Sequence, residues 1–313
     1  LRRDRPMPVR NDTIFERFLA PVVKTFLIDR DAILRYYQSR DWQQESDRLR
    51  NPAVEYPSYY SSQNFHSIEG GYLSLEAALS YDPITQYALP PNETWVRKAL
   101  LERVQGSPRR ILDLGCGTGT STRMLKRAFP QAEVIGLDLS PYMLAVAEDK
   151  AKGDSRSDPY GNRLDIQFVH QNAEQTGFPD ASFDLVTATL LFHETPPEVA
   201  QTILREAFRL LTVGGQVLVL DGNQSVIRQT EWLAEIFEEP YIKAYAAGSV
   251  DAWMGKAGFG AVQTDSLWVI HQITQGVKPL PGQQVRSVEF ATPLGEGDRQ
   301  WAWNWRSEAV RGG

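Results

Sequence analysis

The stretch Arg110-Ile-Leu-Asp-Leu-Gly-Cys-Gly-Thr-Gly-Thr-Ser-Thr122 constrains this chain most, because an apolar run there meets three closely spaced glycines and then a helical pattern. It reads as strand, turn and helix. Ile111, Leu112 and Leu114 form the dense apolar run of a strand buried on both faces of a parallel sheet. Gly115, Gly117 and Gly119 remove side chains where the backbone must turn sharply and let a ligand approach, and Ser121 or Thr122 is placed to cap the helix that follows.

The glycine spacing separates two ligand types. Dinucleotide sites use G-x-G-x-x-G with a pyrophosphate at the helix N-terminus. Here the pattern is G-x-G-x-G preceded by Asp113, a carboxylate where a diphosphate wants positive or neutral groups. That favours a cationic or zwitterionic ligand and disfavours an NAD-dependent reductase. About one βαβ step on, Val134-Ile-Gly-Leu-Asp-Leu-Ser140 supplies a second buried strand ending in Asp138, placed to accept both hydroxyls of a ribose. A nucleoside carrying an ammonium group fits both carboxylates.

With ILDLGCGTGTST, then GLDLSPYML, then QNAEQTGFPDASFDLVTATLLFHE, the chain resembles class I S-adenosylmethionine-dependent methyltransferases of the ubiquinone/menaquinone-biosynthesis (methyltransferase type 11) branch. The resemblance implies an α/β fold, a Rossmann-like seven-stranded, mostly parallel sheet with the last strand antiparallel. It further implies that Asp113 and the turn Gly115, Cys116, Gly117 and Gly119 hold the methionine amine and carboxylate of S-adenosylmethionine. Asp138 with Leu139 would meet the ribose, Asn172 and Ala173 the adenine, and Leu190 to His193 would line the pocket. Where many family members carry Asp, this chain has Asn172, an acceptor without charge. The Tyr81-Asp-Pro-Ile-Thr-Gln-Tyr87 run resembles the first helix of the family's domain, with Tyr81 and Tyr87 near the methionine moiety.

Three parts are expected: a helical lid extension over 1–80, the cofactor-binding domain over 81–277 and a Pro- and Trp-rich extension over 278–313. A net charge of −6 argues against a nucleic-acid footprint and favours a small-molecule substrate. One cysteine excludes an intramolecular disulfide, and no Cys/His cluster has metal-ligand spacing, which suits a reducing, cytoplasmic setting and a metal-free site. Oligomeric state has no signature.

The N-terminal residues 1–30 carry seven Arg or Lys against four Asp or Glu, and apolar residues from Ile14 to Leu27 recur at helical spacing around Pro21. Such a basic amphipathic helix, over 13–30, either packs on the core or makes peripheral contact with an anionic membrane. No apolar run approaches the length of a membrane span, and no signal-peptide core is present. Residues 31–80 have no single period and read as an aromatic, loop-rich lid in which His66 and Glu69 are candidates for substrate contact or base chemistry. Asn92 is expected to cap a helix over 93–105, and residues 153–163 to form a surface loop.

The fourth strand, over 183–189, must end beside the first, and ligands of open α/β sheets sit outside those carboxyl ends. This places Leu191, Phe192, His193 and Glu194 at the pocket. Asp221 and Asn223, after a fifth strand expected over 216–220, are expected to face it too, with Gly214-Gly215 ending the helix before that strand. Trp232, Phe237, Tyr241 and Tyr245 read as apolar helix faces, and 301–305, with three tryptophans, as a tail folded back on the body or a partner.

If the ligand is a sulfonium, the protein must align a nucleophile with its methyl group and exclude water. A base is needed only where the nucleophile loses a proton, and His193, oriented by Glu194 or Asp221, is the first candidate, with His66 the second. The expected activity is C- or O-methylation of a hydrophobic aromatic acceptor such as a quinone or pigment precursor. The alternatives are O- or N-methylation of a soluble natural product, or a binding module without turnover.

Overall fold

The structure, a computed structural model, describes residues 13, 14, 17, 30–66, 68, 70–88, 92–157, 164–236 and 239–281. The expectations for the N-terminal amphipathic helix, for Glu69, for Phe237 and for the tryptophan tail lie outside these residues, as does that for the side chain of Tyr87. Among the described residues no helix is long and apolar enough to cross a membrane.

Seven strands form one sheet: β1 (Arg110–Leu114), β2 (Glu133–Asp138), β3 (Ile166–His170), β4 (Phe183–Thr189), β5 (Leu211–Gly222), β6 (Gly260–Leu267) and β7 (His271–Val277). Their order is β3-β2-β1-β4-β5-β7-β6. All pairs are parallel except those of β7, which lies antiparallel to both β5 and β6. The expected sheet is therefore present, with β7 inserted between β5 and β6. Strand order reverses between β1 and β4, which opens a crevice above their carboxyl ends.

Alternate residues of the central strands enter opposite cores, the period-two signature of a sheet covered on both faces. Leu112, Leu114, Ile135, Leu137, Val186 and Val217 pack on one side with helices α8 (Pro197–Leu210) and α11 (Val250–Ala257). Ile111, Val134, Leu185, Leu218 and Leu220 pack on the other with α5 (Glu93–Leu101) and α6 (Thr120–Ala128). Each such leucine or isoleucine contributes roughly 1.5–3 kcal/mol by leaving water.

Ahead of the sheet, the chain forms α1 (Arg30–Tyr37), α2 (Trp42–Leu49), the single turn α3 (Ser58–Ser61) and α4 (Leu75–Ala88). The aperiodic stretch 31–80 thus holds short helices, α2 being started by the Asp41 carboxylate, which accepts the Gln44 amide at 3.0 Å. Trp42, Phe65, Tyr72, Ala78 and Leu79 share a third core with Met143, Ala145 and Val146 of α7 (Pro141–Ser157). Polar pins complete the attachment: His170 on β3 accepts the Asn51 amide through Nδ1 at 2.9 Å and holds the Leu139 carbonyl through Nε2 at 2.9 Å.

Several boundaries differ from expectation. Asn92 caps α5 as expected, but the helix ends at Leu101. Helix α7 runs on through Ser157, so the first part of the expected 153–163 loop is helical. Helix α8 ends at Leu210 without a glycine cap, and Gly214 and Gly215 fall inside β5, where the pairing with β4 shifts register between Phe183 and Leu185. Neither Ser121 nor Thr122 caps α6, whose N-cap is Gly119. Their hydroxyls are drawn into longer-range bonds described below. Of the expected apolar aromatics, Tyr245 is fully buried whereas Trp232 is exposed.

Gly119 is the glycine the turn depends on most. Its φ is +73°, and a Cβ there would lie 2.9 Å from the Cβ of Ala147 and 3.2 Å from the Phe168 ring. Gly106 shares the φ of +73° but has nothing within 4 Å. Gly119→Ala is therefore expected to destabilise the protein by about 2–4 kcal/mol, against about 1–2 kcal/mol for Gly106→Ala, as read by urea melts of the two variants. Equal losses would mean that backbone conformation, not the contact with α7, sets the requirement.

Candidate functional site

The crevice above β1 and β4 is an open cavity whose empty space, counting its mouth, is about 850 Å³. Its floor is the glycine turn. Gly115 has a φ of +62° and lies against Leu191, whose Cδ1 would be 2.7 Å from a Cβ. Residues Asp113, Gly115, Cys116, Gly117, Asp138, Leu139, Asn172, Ala173, Leu190 and Tyr81 all line the cavity, so ten of the residues expected at the cofactor converge there. Gly119 shapes the turn from below.

Asp113 lines the cavity and is also braced from within the fold. The side chain is buried, and each oxygen accepts one hydroxyl: Thr122 donates to Oδ2 at 2.6 Å and Thr187, its β4 neighbour, donates to Oδ1 at 2.7 Å. Burial raises its pKa, against the two hydroxyl bonds and the charge of Arg97. The carboxylate thus ties β1, α6 and β4 together beneath the pocket. Asp138 accepts the Gly117 amide at Oδ2 and the Ser140 amide at Oδ1, each at 2.8 Å. Burial pushes its pKa up to about 6, opposed by those two N–H groups. A carboxylate has about four acceptor positions, so room remains for ligand hydroxyls.

Arg97 was not singled out from the sequence. On α5, in Glu93-Thr-Trp-Val-Arg97, it reads as half of an ordinary surface i,i+4 pair. In the fold it is 5% exposed, bonded to Glu93 Oε1 at 2.8 Å and to Ser121 Oγ at 2.7 Å, and it lines the cavity. A second omission is Thr189, whose buried Oγ1 lines the cavity without a hydrogen-bond partner among the described residues. Neighbouring Leu190 has a φ of +57°, left-handed for a branched residue, at the end of β4 where the chain turns away from the sheet.

Tyr59, Tyr60, Tyr72 and Tyr81 form the aromatic side of the wall. Burial holds all four phenols above their ordinary pKa, and they stay protonated. Tyr72 stacks on Phe65 with ring centroids 5.4 Å apart and donates to Glu194 Oε1 at 2.6 Å. Asn172 is turned locally: its Oδ1 accepts the Glu174 amide at 2.8 Å. The Cys116 thiol is held well above its usual pKa by burial, which makes it an inert packing group.

The catalytic candidates meet, but not as expected. Glu194 reaches the cavity wall, while His66 and His193 stand behind it. His193 Nδ1 lies 2.6 Å from Asp221 Oδ1. Burial pulls the His193 pKa down, but the Asp221 charge and hydrogen bond, with Glu239 and Glu194, outweigh it and push the value up to about 9. For His66 burial is again outweighed, by Glu239 and Glu194, and the value rises to about 10. Neither imidazole is therefore a free base near neutral pH. Asp221 is fully buried and accepts the Phe192 amide at 2.8 Å rather than facing the cavity. Asn223 is likewise turned away, its Oδ1 capping α9 (Gln224–Gln229). Glu239, which joins this group, sits in Glu238-Glu-Pro-Tyr241 and reads from sequence as a solvated charge. The expectation of a metal-free site rested on local spacing, and the fold gathers two histidines and two glutamates that spacing keeps apart.

Asp221 sets the state of His193. In chelator-containing buffer, Asp221→Asn is expected to lower the His193 pKa from about 9 to below its ordinary value of about 6.5, since burial then acts with less opposition. The His193 imidazole resonance followed against pH by NMR checks this. An unchanged titration would show that Glu194 and Glu239 hold the proton instead.

Residues 111–215 match a family model described as a methyltransferase domain. A demethylmenaquinone methyltransferase of Thermus thermophilus is 37% identical over 127 residues, 41% of this chain and 53% of that protein. One from Lactococcus lactis subsp. lactis is 32% identical over 164 residues, 52% of this chain and 58% of that protein. The chain spans about half the length of the curated relatives it matches. Among solved structures, the Haemonchus contortus phosphoethanolamine N-methyltransferase 2 in complex with S-adenosyl-L-methionine aligns with a TM-score of 0.49 at 16% identity, covering 66% of this chain and 58% of that one.

Proposed function

We propose that the chain, which carries a methyltransferase domain over residues 111–215, transfers a methyl group from S-adenosylmethionine to a hydrophobic aromatic acceptor, a quinone precursor. The observation that carries this reading is the cavity itself. It joins the glycine turn and Asp138 to a tyrosine wall within one crevice. Relatives named demethylmenaquinone methyltransferase support a quinone-type acceptor.

The donor groups suit this cofactor. S-adenosylmethionine, when bound, supplies a methyl group on a positively charged sulfur, open to in-line attack. Asp138 is placed to accept the ribose hydroxyls while its two backbone amide bonds hold it still. Arg97 brings a guanidinium to the cavity wall and would pair with the methionine carboxylate, a role expected of Asp113 and the glycine turn together. The amine would meet carbonyls of the turn, the Thr189 hydroxyl and Asp113, whose carboxylate lines the cavity and accepts only one hydroxyl on each oxygen. Asn172 and Ala173 border the adenine end, and Tyr81 the methionine end.

The acceptor lies against Tyr59, Tyr60 and Tyr72, whose rings exclude water and match an aromatic face. Glu194 borders the same space. Its contacts to Tyr72 and His66 both fall on Oε1, so Oε2 is the atom proposed to take the acceptor's proton. A hydroxylated ring would gain nucleophilicity as its O–H is drawn to the carboxylate. Positioning contributes the larger part, up to roughly 7–11 kcal/mol for a well-aligned pair.

Calorimetric titration with S-adenosylmethionine, joined to an assay of labelled methyl transfer to prenylated quinols, tests the reading. Asp138→Ala is expected to weaken binding ten- to a hundredfold, about 1.5–3 kcal/mol for hydrogen bonds to a charged acceptor. Arg97→Met is expected to cost a similar factor and Glu194→Gln to spare binding while lowering turnover at least tenfold. Because Asp138 is charged only above a pKa of about 6, affinity should be full at neutral pH and fall about tenfold as the pH drops through 6, with Asp138→Asn flat over that range. Binding without turnover on any quinol would favour a module that holds the cofactor without using it.

A further inference from the structure

We propose that His66, His193, Glu194 and Glu239 bind one divalent transition-metal ion, Zn²⁺ by donor type, which clamps the segment covering the pocket to the sheet. One ligand atom of each residue lies within 4.8 Å of those of the other three. The residues come from three separate stretches. His66 lies between α3 and α4, His193 and Glu194 occupy the 3-10 turn after β4, and Glu239 precedes α10 (Ile242–Ala247).

The distances already approach a coordination sphere. Glu194 Oε1 is 3.1 Å from His66 Nε2 and 3.8 Å from His193 Nε2. Bonds of 2.0–2.2 Å in a tetrahedron place neighbouring ligands about 3.3–3.6 Å apart, between those two values. Glu239 is 3% exposed; its Oε1 holds the other ring nitrogen of His66, Nδ1, at 2.9 Å, and its buried Oε2, which has no partner among the described residues, is left as the ligand atom. An orphaned carboxylate oxygen inside protein is costly unless a cation or donor joins it.

The surrounding shell supplies a second argument. A metal-bound histidine commonly presents its other nitrogen to a carboxylate, which fixes the ring and strengthens the ligand. Asp221 does this for His193, holding Nδ1 at 2.6 Å and leaving Nε2 toward Glu194, while Asp221 itself is locked by backbone amides of Phe192 and Gly222. Tyr72 orients Glu194 at 2.6 Å. His66 is held at a φ of 52°, a conformation a non-glycine residue keeps only when its surroundings impose it.

Two neutral imidazoles and two carboxylates match the charge of a dication, and binding releases the imidazole protons. Four protein ligands close the sphere, which marks a structural rather than a catalytic site. Glu194 Oε2 stays available to the acceptor, so the clamp and the proposed chemistry share one residue without excluding each other.

The test uses the full, untagged chain stripped with chelator, dialysed and titrated with Zn²⁺, with bound metal counted by mass spectrometry and Co²⁺ as a visible-absorption probe. The expected result is one equivalent per chain, the d–d bands of tetrahedral Co²⁺, a rise in Tm on adding Zn²⁺, and slower chymotrypsin cleavage around Tyr60 and Phe65. Glu239→Gln and His66→Gln should each lose at least a hundredfold in affinity and show no Tm response, and Asp221→Asn should lose ten- to a hundredfold. Melts without metal establish that each variant is folded, and two independent ligand variants guard against one that is not. The proposal is overturned if the wild type binds no metal above background at tenfold excess Zn²⁺, or if folded Glu239→Gln and His66→Gln bind as the wild type does. Since metal is counted without S-adenosylmethionine or acceptor present, failure here leaves the methyl-transfer reading standing.

Discussion

The buried Asp113 carboxylate is the interaction on which the rest of the site depends. It sits on β1 and accepts hydroxyls from Thr122 on α6 and Thr187 on β4. Those bonds hold together the strand that ends in the glycine turn, the helix that leaves it, and the neighbouring strand across the switch in sheet order. A buried carboxylate without them would cost far more than the bonds contribute when made, which makes the arrangement close to all-or-none. With β1, α6 and β4 in register, the glycine turn has one place to go. The cavity above it follows.

Around that brace, the N-terminal segment is attached by polar contacts as much as by apolar ones. Asn51 and His170, Tyr59 and Glu174, Thr118 and Asp82, and Tyr72 and Glu194 each join it to the sheet or to the turn. A buried polar pair specifies geometry because a misplaced partner leaves a group unsatisfied. The segment therefore covers the crevice in one arrangement and sets four tyrosines along its wall. The same arrangement delivers His66 to His193, Glu194 and Glu239.

What the residues revealed on their own was the part governed by local pattern. Dense apolar runs in the strands around 111, 134 and 185, glycine at positions that turn sharply, and Asp138 at a strand's carboxyl end are all consequences of backbone geometry and neighbours a few residues away. Arg97 and Glu239 escaped notice for the opposite reason, since each sits in a charged neighbourhood that looks solvated until packing buries it. Asp113 was found at the cavity, but nothing in the motif says that Thr122 and Thr187 will also reach it. Asn223 and Asp221 were expected to face the cavity from strand position, but backbone amides claimed Asn223, and backbone amides together with the His193 ring claimed Asp221.

The sequence by itself therefore determined the sheet and the turn, because those rest on periodicity and glycine conformation. Only the tertiary structure decided which titratable groups are paired, buried or left with an open acceptor. Pairing energies depend on distance and desolvation between residues such as His66 and Glu239, far apart along the chain, and no local pattern encodes either quantity.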